Sequence, residues 1–263
     1  MEEIKRSMTK IYLKDWLDYL ESRVGIDVYV WGGNGQPIAT LLPVLCEMEN
    51  KNVKNIDRVL TLISSRLMHE ITIDRIRGCD CSGLGVKYLL DKGIISSDMT
   101  ANGLYDYIVG TEKIKPHGKK IKLSEVQAGD YLFEGTESNK NHIGYAVDNV
   151  FAVESQNRDV GVVKTKIVER KWKYAARPDW YEVEKYTLTR VLMLKDPYMK
   201  GEDVMEVQKR LNELGYNCGT ADGVFGNKTE IASKNFKHDA GLKNETGTIG
   251  EKTAKALGFN WAG

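Results

Sequence analysis

The run His142-Ile143-Gly144-Tyr145-Ala146-Val147, the turn residues Asp148-Asn149 and the return Val150-Phe151-Ala152-Val153-Glu154-Ser155 leave this chain few folds to choose from. Alternation on both arms predicts a β-hairpin with one buried face. A two-residue loop would pair Val147 with Val150 and put Phe151 and Val153 on the face of Gly144 and Ala146. A three-residue loop or bulge pairs Val147 with Phe151, Tyr145 with Val153 and Ile143 with Ser155. Only the second register gathers Ile143, Tyr145, Val147, Phe151 and Val153 on one side, and burial of that side selects it. His142 and Glu154 then share the other face, one diagonal pair apart and within side-chain reach. Gln156 lies on that face too, opposite His142. Gly144, Ala146 and Ala152 keep the face low, which would let a helix pack close against it.

A thiol stands at a second place where structure is legible. After Gly78-Cys79-Asp80-Cys81-Ser82-Gly83, the residues Leu84, Val86, Tyr88, Leu89 and Leu90 predict a buried helix, with Gly93 as its stop. A cysteine at a helix start meets unpaired backbone N–H groups and the positive end of the helix dipole, both of which favour the thiolate. Cys81 has that position. Cys79 precedes it by two residues and reads as structural. With Cys46 and Cys218, the four cysteines are too few and too scattered for a disulfide framework. Cys79, Cys81 and His142 would suit zinc, but no further ligand cluster supports a metal site, and no metal or cofactor is expected.

Elsewhere the pattern alternates between helix and loop. Leu13, Trp16, Leu17, Leu20 and Val24 predict an amphipathic helix over 8–24, ended by Gly25. Tyr29-Val30-Trp31-Gly32-Gly33-Asn34-Gly35 predicts a tight loop where backbone comes close to something. Ile56, Val59, Leu60, Ile63 and Leu67 mark another helix, followed by an exposed His69. Residues 94–120 read as loop, with Lys113, Lys115, Lys119 and Lys120 on a solvated face and His117 between Pro116 and Gly118. Ala128-Gly129-Asp130 is a turn, Tyr131-Leu132-Phe133 a short strand, and 160–168 another. Residues 183–200 read as a short ordered connection. Beyond it, Asp222-Gly223-Val224-Phe225-Gly226-Asn227-Lys228-Thr229 is echoed at an offset of 24 by Thr246-Gly247-Thr248-Ile249-Gly250-Glu251-Lys252-Thr253. With Val204, Val207, Leu211 and Leu214 in phase ahead of them, these predict three short helices around one core; no catalytic grouping appears there, which leaves a binding module or a structural appendage. The fold class expected is therefore α+β, followed by a small all-α domain.

Net charge of +1 gives no argument for nucleic acid or an anionic membrane as partner. No apolar run approaches the length of a membrane span. The start, Met1-Glu2-Glu3-Ile4-Lys5-Arg6, is charged and lacks the apolar core of a signal peptide, so the expectation is synthesis in the cytoplasm.

Tyr29 to Asn34, Asp80-Cys81-Ser82-Gly83, Ala128-Gly129-Asp130 and His142-Ile143-Gly144, in that order, resemble the NlpC-type family of papain-like cell-wall cysteine peptidases. Glu154, twelve residues after the histidine, sits where that family places its third polar catalytic residue. Residues 200–257 are similar to the three-helix peptidoglycan-binding domain, through the glycine–threonine loops and Asp203-Val204 with Gln208 and Leu211. The resemblance implies a catalytic domain over 1–182 with a helical insertion at about 38–76, and a binding domain over 201–263. The chain departs from the family in that insertion, in Glu154 where histidine is common, and in Phe236-Lys237 where phenylalanine–glutamine is usual.

What the resemblance implies is an endolysin-like hydrolase whose partner is bacterial peptidoglycan, reaching the wall through pores made by another protein. Cys81 would be nucleophile, His142 base and then acid, and Glu154 the group that orients the imidazole, with Gln156 the alternative. The Cys81 backbone N–H would serve the oxyanion. Tyr29, Asp80 and Ser82 would line the substrate site. Asp80 has two readings, partner of a substrate amine or cap of the helix start. The bond expected is a D-glutamyl to diamino acid link of the stem peptide. The alternatives are a muramoyl-alanine amidase, a non-catalytic wall-binding protein, and an acyltransferase on the same fold.

Overall fold

The computed structural model describes residues 10–183, 185–243 and 245–263. The charged stretch Met1–Arg6 and the first two residues of the helix expected over 8–24 lie outside them. The chain divides into two compact units, Met1–Val183 and Glu184–Gly263.

In the first unit, α1 (Leu13–Arg23) buries Trp16 and Leu20, two members of the predicted stripe. Three short strands follow: β1 (Val28–Tyr29), β2 (Asn34–Pro37) and β3 (Arg77–Cys79). β3 is central, parallel to β1 and antiparallel to β2. Between β2 and β3 the insertion forms three short helical turns over 38–48 and then α2 (Val53–Met68), whose first turn Asn52 caps by accepting from the Asn55 N–H. Val59, Leu62 and Ile63 of α2 pack with Val28, Val30 and Ile76 into a core of their own.

α3 (Gly83–Asp91) carries Leu84, Val86 and Leu89 into the main core. The loop expected over 94–120 instead contains α4 (Ala101–Val109) and β4 (Gly118–Ile121). Ala101, Leu104, Tyr105 and Ile108 recur at helical spacing and are buried, and Thr100 caps the helix by accepting from the Gly103 N–H at 3.1 Å. A nine-residue helix with a glycine in its first turn gives a weak pattern, and tertiary burial supplies what propensity lacks. Lys113, Lys115, Lys119 and Lys120 are exposed, and His117 stacks on Tyr107.

The main sheet is antiparallel. Its strands are β4, β5 (Tyr131–Gly135), β6 (Lys140–Ala146), β7 (Phe151–Asn157), β8 (Gly161–Lys166) and β9 (Tyr174–Pro178), in the spatial order β4-β9-β5-β6-β7-β8. The hairpin has the longer loop: Tyr145 pairs with Val153 and Ala146 with Ala152, and the Val147 N–H donates to the Phe151 carbonyl at 3.0 Å. Asp148 Oδ1 accepts from the N–H groups of Val150 and Phe151, each at 2.6 Å. Ile143, Tyr145, Val147 and Val153 join the core beneath α1, α3 and α4. Among the described residues, no helix covers the opposite face. Trp172, on the segment between β8 and β9, lies over Ala146 and Ala152. A Cβ at Gly144 would stand 2.7 Å from its ring, so the low face makes room for an indole.

The second unit has α5 (Glu202–Glu213), α6 (Asn227–Asp239) and α7 (Glu251–Leu257). The last two start in register with the repeat. Thr187–Leu188 pairs with Asn260–Trp261, a small strand pair added to the helices. The stretch 183–200, read as a connection, contributes Leu188, Leu192 and Met199 to this core. Buried Gln208 ties the first repeat loop, donating to Asp222, Val224 and Thr229 and accepting from Gly223. Lys237 ties the second, donating to the carbonyls of Thr246 at 2.8 Å and Thr248 at 3.3 Å. Among the described residues, no helix is long and apolar enough to cross a membrane.

Candidate active site

Cys81 lies where β3 passes into α3, one residue before the cap position Ser82. Its segment is gripped on both sides by the hairpin. Ser155 donates to the Cys79 carbonyl at 2.9 Å, and the Tyr145 hydroxyl donates to the Ser82 carbonyl at 3.1 Å. The pairing of Tyr145 with Val153 therefore sets where the thiol sits relative to the other face of β6 and β7. Asp80 does the capping. Its Oδ1 accepts from the Gly83 N–H at 2.8 Å and from the Ser82 hydroxyl at 3.0 Å. Its Oδ2 accepts from the Gly32 N–H at 3.1 Å, which ties the aromatic–glycine loop to the helix start. A Cβ at Gly83 would collide with the Gly33 carbonyl, so glycine is needed at this crossing. Cys79 is fully buried, and burial pushes its thiol well above the usual range, whereas Cys81 is partly exposed.

On the facing strands, His142 Nε2 lies 2.7 Å from Glu154 Oε2. Cys81 lies close enough to the ring to favour its protonated form. The two rings of His142 and Trp172 are stacked, with 7° between their planes and 5.7 Å between centroids. Glu154 is wholly buried, yet both its oxygens are served. The Thr165 hydroxyl donates to Oε1 at 2.7 Å, and Arg170 Nη2 donates to Oε2 at 2.8 Å. Burial would raise the Glu154 carboxyl, but hydrogen bonds from His142 and Thr165 and the charges of His142 and Arg170 hold it below the usual range. For His142, burial lowers basicity; hydrogen bonds to Cys81 and Glu154, with their charges, outweigh it and push the ring up to about 9. An imidazole so placed holds a proton at neutral pH and can pass it in either direction.

Cys81, His142 and Glu154 thus come together in space, and it is Glu154 that holds the ring. Gln156 lies beyond the contact, partly exposed beside Asn157. Tyr29 is brought in as well. Burial raises its phenol, and the neighbouring Cys81 and Asp80 add to that. The hydroxyl of Ser82 is committed to Asp80. Among the described residues, no three His, Cys, Asp or Glu side chains gather to hold a metal ion.

Sequence reasoning missed Thr165, Arg170 and Trp172. Thr165 was within reach of it: Val163 pairs with Glu154, and strand parity puts Thr165 on the same face. Arg170 and Trp172 follow a 3₁₀ turn at Ile167–Glu169, where no period aims a side chain.

Comparison with known proteins bears on both units. Residues 27–178 match the NlpC/P60 family, and residues 200–257 match the family described as "Putative peptidoglycan binding domain". Over 57 residues the chain is 46% identical to the spore cortex-lytic enzyme of Bacillus subtilis (strain 168), which is 22% of this chain and 19% of that protein. The spore cortex-lytic enzyme of Oceanobacillus iheyensis is 44% identical over 57 residues, 22% of this chain and 20% of its own. The chain spans about a fifth of the length of these curated relatives. Among solved structures, the NlpC/p60 domain of the peptidoglycan hydrolase SagA is 18% identical, with 63% of this chain and 97% of that chain covered and a TM-score of 0.37. NlpC2 from Trichomonas vaginalis is 15% identical, with 69% and 51% covered and a TM-score of 0.40.

Proposed function

We propose, from the premise that this chain belongs to the NlpC/P60 family and carries a peptidoglycan-binding domain, that it hydrolyses an amide of the peptidoglycan stem peptide through a Cys81–His142–Glu154 thiol mechanism. One observation carries the reading: a protonatable imidazole stands between a partly exposed thiol and a fully buried, charge-compensated carboxylate. In that arrangement the Cys81 sulfur attacks the amide carbon and a C–S bond forms. The oxygen takes the negative charge and is met by the backbone N–H of Cys81. His142 gives its proton to the departing nitrogen as the C–N bond breaks, leaving an acyl-enzyme and a free amine. A water then loses a proton to His142 and attacks the same carbon, the C–S bond breaks with release of the acid, and Cys81 and protonated His142 are restored. Glu154 fixes the ring and stabilises its cation throughout.

A D-glutamyl to diamino acid link is the bond we assign, with Tyr29 and Asp80 beside the thiol as substrate contacts. The pairing of a lytic with a wall-binding domain supports an endolysin-like role. Loss of turbidity of purified walls tests the mechanism: Cys81→Ser abolishes lysis and Cys79→Ser keeps it, and equal loss in both overturns the assignment of the nucleophile. Mass spectrometry of the released fragments tests the bond. New glutamyl carboxyl and diamino acid amine ends are expected, and free lactyl groups on the glycan would show an amidase instead.

A further inference from the structure

The insertion between β2 and β3 ends its third helical turn at Glu49, whose side chain is wholly buried. Glu49 Oε2 takes Arg158 Nε at 2.7 Å and Arg158 Nη2 at 2.6 Å. Oε1 accepts the backbone N–H of Trp31 at 3.0 Å. The guanidinium carbon of Arg158 in turn lies 5.0 Å from the centroid of the Tyr29 ring. The next two residues of the β7–β8 connection are held by the same insertion. Arg58 donates from Nε and Nη2 to the two oxygens of Asp159, each at 2.6 Å, and Arg66 Nη2 donates to the Val160 carbonyl at 2.9 Å. Three successive residues, 158–160, are therefore fastened to three points along the insertion.

Stability does not ask for this. The insertion already has an apolar core with Val28, Val30 and Ile76. A buried ion pair recovers little more than its own desolvation, and apolar residues of similar volume serve as well. What the Glu49–Arg158 pair does that an apolar pair cannot is direct: it pins the Trp31 N–H through one oxygen and a cation over Tyr29 through the other. Both targets adjoin the segment that carries the thiol. Tyr29 pairs with Cys79, two residues before Cys81, and Gly32, next to Trp31, donates to Asp80. Trp31 is 56% exposed, so the anchored turn presents an indole to solvent.

We propose that the insertion is the specificity element of the cleft, acting through Glu49 and Arg158 as positioning residues that fix Tyr29 and the Trp31–Gly32 turn where the stem peptide passes Cys81. This rests on the hydrolase reading above and deepens it. The test is steady-state kinetics of the full chain on soluble stem-peptide fragments, beside the rate at which iodoacetamide alkylates Cys81, which reads the thiol and imidazole without substrate. Glu49→Gln and Arg158→Met are expected to raise KM roughly tenfold or more, with kcat and alkylation within about threefold of the parent. Either single change leaves a buried group unpaired, so the double variant Glu49→Leu/Arg158→Met serves as the folding control. It is expected to recover the thermal midpoint and keep the raised KM. An unchanged KM in a folded variant, a parental KM in the double variant, or a fall in kcat and alkylation at constant KM overturns the proposal. Activity surviving Cys81→Ser would instead sink the hydrolase mechanism, an outcome independent of these.

Discussion

Glu154 carries its charge with no exposure to water, and four side-chain neighbours decide whether it can. His142 and Arg170 meet it as cations, Thr165 donates to it, and Glu134, the strand partner of His142, lies 3.2 Å from Arg170 Nη2 and shares that cation. The two titrating members act in opposite senses. The His142 value of about 9 exceeds its ordinary 6.5, so its contribution to stability is full below the ordinary value and fades as pH rises through about 9. Glu154 is held below its ordinary 4.5, so its contribution is present above that value and is lost as pH falls through the lowered one. Arg170→Met removes one cation from a buried carboxylate, which then takes up a proton more readily. The acid limb of kcat/KM against pH is expected to move up by about one unit, with Arg170→Lys intermediate. A purely structural arginine would lower the thermal midpoint and leave the limb in place, and that result would refute the assignment.

At the scale of elements, the β6–β7 hairpin was legible because only one register buries its large side chains. That register alone puts His142 near Glu154 and lets Tyr145 and Ser155 grip the segment of Cys81. What covers the small-residue face was not legible. Gly144, Ala146 and Ala152 record that something approaches closely, and an indole satisfies this as well as a helix. α4 was missed because its apolar residues are few and its first turn holds a glycine. Glu49, Arg158 and Arg170 act through partners distant in sequence, and no local period encodes those pairings. The indole does more than fill space, since it also stacks on His142. Gly144→Ala would press a methyl into Trp172 and displace the stack. A loss of about 1–3 kcal/mol in thermal unfolding is expected, as for overpacked cores. Cys81 alkylation should slow with it, because the imidazole loses its support. Unfolding and alkylation both at parental values would show that the ring can yield.

For the whole molecule, the proposed function divides two tasks between two units, and one lysine offers a way to separate them. Lys237 is buried, where its aliphatic stem packs within the second unit and its ammonium holds the carbonyls of Thr246 and Thr248. This loop is one of the two repeated glycine–threonine loops. The backbone of Gly247 is fixed a second time, by Glu230 Oε1 at 2.5 Å. Loss of the ammonium would leave two part-buried carbonyls to find water in place of their donor, at about 1 kcal/mol each. The second unit has its own core, so this cost falls on that unit and not on the Cys81 cleft. Lys237→Met should therefore weaken co-sedimentation with insoluble walls and slow their lysis. Turnover of a soluble stem-peptide fragment should stay within about twofold of the parent, since Lys237 shares no partner with Cys81, His142 or Glu154 and its core is that of the second unit. If fragment turnover falls in step with wall lysis, the division of labour is wrong and the second unit takes part in the chemistry. If wall binding is untouched while the unit's unfolding midpoint drops, the loop held by Lys237 shapes the fold and the ligand surface lies elsewhere on the unit.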